Sequence, residues 1–112
     1  MKFMMFVCTD SEPDTATGDG ETPIDEWAAK NDAAGVRLTG DRLRPPQDAT
    51  VVRKRGGKVL VTDGPFAETH EWIAGFDVLE CADLDEAIAV AADHEMARHG
   101  RIELRPFWPL GE

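Results

Sequence analysis

Residues 63–72, DGPFAETHEW, place Asp63, Glu68 and Glu71 close in sequence to His70. A carboxylate beside an imidazole raises its pKa and poises it for proton transfer, so Asp63 and His70 form the candidate catalytic acid/base pair. Gly64, Phe66, Glu68, Glu71 and Trp72 surround the pair as candidate ligand-binding residues, and Arg42 adds a cation from the basic middle of the chain. Each has a structural alternative. Asp63 before Gly64-Pro65 also suits an Asx-type turn, in which its carboxylate accepts from backbone N–H groups. Phe66 also suits a core plug, His70 a solvated surface position, and Trp72 a seal at a subunit interface. As a metal site the cluster offers hard oxygens and one nitrogen at loose spacing, too weak a pattern to assign a metal. No cofactor is expected either, because P-loop, nucleophile-elbow and dinucleotide signatures are absent. Of the remaining histidines, His94 falls on a helical stretch, and His99 near its end is explained by the helix dipole.

The elements that must position these groups are legible from pattern. Residues 2–8 are apolar at both alternating sets, as in a strand covered on two faces. A polar loop follows. Thr22-Pro23 then reads as a helix start, with a hydroxyl N-cap, Asp25 and Glu26 in the first turn, and Ile24, Trp27 and Ala28 sharing one face up to Gly35. Residues 36–43 are ambiguous, and Pro45-Pro46 marks an extended connector. Residues 50–53 and 58–61 flank Arg55-Gly56-Gly57 as a β-hairpin. Residues 76–81 form a strand, and Asp83 with Glu86 opens a second helix through a capping box. Leu84, Ala87, Ile88, Ala91 and Met96 carry its spacing to Gly100, and residues 101–107 are a last strand.

This order predicts one domain over residues 1–112. Its fold class is α+β, a ferredoxin-like antiparallel sheet with two helices on one face. No third helix is available for the other face, so a second copy is the expected cover, giving a two-fold homodimer. The chain has 112 residues, 42% of them hydrophobic, and a net charge of −10. That charge argues against direct nucleic-acid binding. The apolar run at residues 1–8 is too short for a membrane span or a signal peptide. Cys8 and Cys81 read as small buried hydrophobes, a disulfide between them being left open. With two cysteines and no export signal, a reducing cytoplasm is the expected location.

The run Val61-Thr62-Asp63-Gly64-Pro65-Phe66-Ala67-Glu68-Thr69 resembles the DGPF family, a branch of the YCII-related proteins. Gly40 with Leu43 before the proline pair, Gly56-Gly57, Gly75, Asp83-Leu84-Asp85-Glu86-Ala87 and Ile102-Glu103-Leu104-Arg105-Pro106 extend the likeness from Lys2 to Pro106. The resemblance implies a ferredoxin-like subunit that pairs into a dimeric α+β barrel. Two functions follow from it as open alternatives. One is small-molecule binding with acid/base chemistry near the DGPF loop, as in isomerase-type or lyase-type relatives. The other is a non-enzymatic accessory module for a protein partner such as an extracytoplasmic-function sigma factor. His70 stands where the family run has lysine, and the histidine that YCII-related enzymes carry in their N-terminal half has no counterpart here.

Overall fold

The computed structural model describes residues 1–14, 22–65 and 71–111. Its elements run β1 (Lys2–Thr9), α1 (Ile24–Ala33), β2 (Arg37–Arg42), a 3-10 turn (Pro46–Asp48), β3 (Thr50–Arg55), β4 (Lys58–Asp63), β5 (Ile73–Glu80), α2 (Leu84–Ala92), α3 (Met96–His99) and β6 (Gly100–Pro106). Strands β2-β5-β1-β6 form a four-stranded sheet, with every pairing antiparallel. This order makes two split β-α-β units, β1-α1-β2 around β5 and β5-α2/α3-β6 around β1, and is compatible with a ferredoxin-like α+β fold. The hairpin β3–β4 is a separate two-stranded sheet.

Alternation along β1 decides where the core forms. Phe3, Met5 and Val7 point to the helices and are buried, together with Leu79 and Cys81 from β5 and its end, Trp27 of α1, and Ala87 and Ala91 of α2. Ile102 and Leu104 of β6 pack at the margin. The helices approach closely because α2 presents alanines to the sheet, while Trp27 fills the space between α1 and α2. Its indole Nε1 donates to Val90 O at 2.9 Å, so the burial of this large ring leaves no polar atom unpaired. The opposite set on β1, Met4, Phe6 and Cys8, is only half-buried. Both cysteines are free thiols, Cys81 in the core and Cys8 on the other face.

Several local expectations are corrected. Thr22 does not cap α1; its hydroxyl donates to Asp93 at 2.9 Å, and Pro23 occupies the N-cap without a side-chain bond. The ambiguous residues 36–43 contain β2, because the edge of the larger sheet recruits them despite weak propensity. β5 starts at Ile73, three residues before the apolar run suggests. The second helix breaks after Ala92, at Asp93-His94-Glu95, and resumes as α3. Leu84 and Ile88 are exposed, so the buried stripe of α2 is alanine and not its large aliphatics. The expected cap is present in modified form: Asp83 accepts from the Glu86 amide at 2.9 Å, while the Glu86 carboxylate reaches one residue past the N-cap and accepts from the Ala82 amide at 3.2 Å.

The hairpin is turned by Gly56 and Gly57, both at positive φ (57° and 77°), the pair of conformations that a two-residue turn with right-handed strand twist demands. All of β4 is exposed, including Val59 and Val61, and so is Val52, which faces Val61 across the ladder. Among the described residues, no hydrogen bond or ion pair ties β3–β4 to the four-stranded sheet. The hairpin therefore stands out as an arm. The radius of gyration is 16.4 Å, against about 13 Å for a compact chain of this length.

Candidate functional site

A cleft of about 340 Å³ opens on the helix side of the sheet, between α1, β2, β5 and the α2–α3 break. Its base is apolar, from Val7, Trp27, Ala28 and Met96. Strand alternation turns Arg37, Gly40 and Arg42 of β2 and Gly75 and Asp77 of β5 toward it. The two glycines keep the space open. A Cβ on Gly75 would lie 2.9 Å from Asp41 O, and one on Gly40 would lie 2.7 Å from Phe76 O and collide with the Asp77 carboxylate.

Asp77 is buried in the middle of an apolar strand. Arg37 Nε donates to its Oδ1 at 2.7 Å, and the same guanidinium donates to both oxygens of Asp32 at 3.0 and 3.1 Å. Burial pushes the Asp77 carboxyl above its ordinary range, an effect that Arg37 opposes without cancelling. Arg37, engaged by two carboxylates, is held above the usual guanidinium range. The second Asp77 oxygen has no hydrogen-bond partner among the described residues, and no buried side-chain polar atom is left unpaired. That oxygen is therefore not fully enclosed, and Asp77 lines the cleft.

His94 is held by the break that ends α2. Asp93 accepts from Thr22 at 2.9 Å and from Lys30 Nζ at 2.6 Å, which ties the start and the last turn of α1 to this point. The neighbouring His94 is thereby set against Trp27, with ring centroids 4.7 Å apart and edge-on. Its Nδ1 accepts from the Met96 amide at 3.0 Å, which leaves the proton of the neutral ring on Nε2. Nε2 has no partner among the described residues and so is not fully enclosed, and His94, like Asp77, lines the cleft. Burial pushes the imidazole below its ordinary pKa, so the neutral form is favoured. A buried carboxyl, a buried neutral imidazole and a guanidinium rim on one small apolar cleft provide a proton acceptor, a proton donor and a charge anchor.

The residues expected from sequence are distributed differently. Arg42 lines this cleft. Asp63 is exposed at the end of β4, outside the cleft, and its carboxylate accepts no hydrogen bond among the described residues. Gly64 follows at φ 96°, and its amide donates to Ala49 O at 2.8 Å, closing the base of the hairpin. Glu71 accepts from Ser11 at 3.2 Å and lies 3.4 Å from Arg101, which also donates to Asp10 at 2.9 Å. Trp72 is exposed and pairs through its backbone with Thr9. Phe66, Glu68 and His70 lie outside the described residues. Among the described residues, no group of three or more His, Cys, Asp or Glu is placed to hold a metal ion.

Sequence reasoning passed over Asp77 and gave His94 no role. An acid inside the run Phe76-Asp77-Val78-Leu79 was one available signal, and the polar triplet Asp93-His94-Glu95 interrupting an apolar helix was the other.

A family model, the YCII-related domain, matches residues 1–110. The chain belongs to the YCII-related family. An uncharacterized protein, R00369, of Rhizobium meliloti (strain 1021) is 45% identical over 67 residues, covering 58% of this chain and 54% of its own length. The matched segment thus spans about half of that relative. No described helix is long and apolar enough to cross a membrane.

Proposed function

We propose that this YCII-related domain binds a small molecule in the cleft between α1 and the β2–β5 edge and acts on it by proton transfer, with Asp77 and His94 as the acid/base groups. The observation that carries this reading is the pair of buried polar side chains that line the same apolar cleft, each with one atom lacking a partner among the described residues. The exposed Asp63, with His70, is the competing pair. A thermal-shift screen of small metabolites decides between them, because a ligand that binds only the folded state raises the melting point. Asp77→Asn and His94→Gln are expected to abolish the shift of a hit, and Asp63→Asn to leave it intact. The opposite pattern would return the site to the DGPF loop.

The same reading includes a homodimer in the barrel arrangement of the DGPF branch. The half-buried apolar set Met4, Phe6, Cys8, Phe76 and Val78 on the outer sheet face supports it. A second reading, a docking module for a protein such as a sigma factor, is favoured by one feature, the exposed valines of the hairpin arm. If it holds, Val59→Asp should release a co-purifying partner while ligand shifts in the cleft stay as they are. The free thiols accord with a reducing, cytoplasmic location.

A further inference from the structure

We infer that the cleft selects a small monocarboxylate with an apolar body, its carboxylate held by Arg42 and the open first turn of α1, and its far end meeting His94 Nε2–H. This inference rests on the cleft being a binding site and adds the chemical class of what it binds.

The charge inventory points to a single negative charge. Two guanidinium groups line the cleft, and Arg37 is already engaged by Asp77 and Asp32. Arg42 has no ion-pair or side-chain hydrogen-bond partner among the described residues. A planar guanidinium fork matches a carboxylate with two parallel hydrogen bonds. Next to it, α1 begins without a side-chain cap, since Thr22 is drawn away to Asp93. The amides of Ile24, Asp25 and Glu26 precede the first helical hydrogen bond, from Trp27 N to Pro23 O, and two of these residues line the cleft. Open amides at a helix N-terminus favour an anion.

His94 supplies an independent pointer to a ligand, as a 5% exposed side chain that lines the cleft and whose donor nitrogen has no partner among the described residues. The body of the ligand must be apolar to match the Trp27, Val7 and Met96 surface, and about 340 Å³ suits a metabolite smaller than a nucleotide. A phosphate dianion fits poorly. One free cation cannot balance it beside Asp25 and Asp77 in a chain of net charge −10.

Benzoate and phenylacetate, their amides, benzylamine and inorganic phosphate, titrated at millimolar concentration while the ring signals of His94 are followed by NMR, test the assignment. The acids are expected to move the His94 signals, with the amides, benzylamine and phosphate at least about tenfold weaker, the size of a lost charge-assisted pair. Arg42→Gln should weaken the acids about tenfold and leave the amides within about twofold. The side chain of exposed Arg42 makes no hydrogen bond or ion pair among the described residues, so that variant keeps its melting point. Equal binding of acid and amide, stronger binding of benzylamine or phosphate, or indifference to Arg42→Gln would overturn the carboxylate assignment while leaving the cleft a binding site. No movement of the His94 signals with any probe would overturn both.

Discussion

Burial acts on Asp77 and His94 in the same sense chemically, favouring the neutral form, yet with opposite consequences for stability against pH. The folded His94 titrates below its ordinary value of 6.5. Its contribution is therefore fully present above pH 6.5 and is lost as pH falls through the folded pKa, when the unfolded chain takes the proton more readily. Asp77 titrates above its ordinary 3.8, so its contribution is present at lower pH and is lost as pH rises through the folded value. The unfolding free energy from urea titrations between pH 7.5 and about 5 should fall with a slope of at most about 1.4 kcal/mol per pH unit, and His94→Gln should flatten that limb. An unchanged slope in the variant would mean that His94 is not the group responsible. Gly40 makes a second prediction at this scale. A methyl there meets Phe76 O, a backbone atom that cannot rotate away, and displaces Asp77 from Arg37. Gly40→Ala is expected to cost about 2–3 kcal/mol in denaturant unfolding, a loss below about 0.5 kcal/mol showing that β2 slides freely along β5.

The elements were readable where local chemistry sets them. Gly56-Gly57 announces its hairpin because few residues other than glycine take successive positive φ, and the capping box at Asp83 announces α2 because its partners are three residues apart. Asp83→Ala should lower stability by about 1 kcal/mol, read from the urea midpoint. The misplaced boundaries have distant causes. Thr22 leaves its cap position for Asp93, far along the chain, and β2 becomes a strand only because β5 offers an edge. The candidate site failed to show in sequence for the same reason. Arg37 lies on β2, Asp77 on β5 and His94 in the α2–α3 break, and nothing in their spacing announces a common cleft, whereas Asp63, His70 and Glu71 are close neighbours in sequence.

For the whole molecule, the decisive facts are the exposed valines of the arm and the half-covered outer sheet face. An isolated two-stranded hairpin is marginal in water, and Val52, Val59 and Val61 are all more than 60% exposed. Light scattering at micromolar concentration should give twice the 12.3 kDa chain mass. Phe6→Asp with Val78→Asp on the outer sheet face should shift it toward monomer while circular dichroism keeps its strand signal. A wild-type monomer would remove the barrel arrangement from the proposal.

The place of β1 carries one more consequence, for the order of events during synthesis. Of the four strands of this sheet the first made, β1, is an interior one, hydrogen-bonded on one side to β5 and on the other to β6, the last of the four. Until residue 106 leaves the ribosome, the apolar row Phe3, Met5 and Val7 has only part of its sheet, so this row stays incompletely paired until β6 arrives. Pairings this far apart in sequence fold slowly and expose sticky intermediates. Ribosome-stalled chains ending before β6 should therefore recruit chaperones, and chains extended past residue 106 by a linker long enough to clear the exit tunnel should release them.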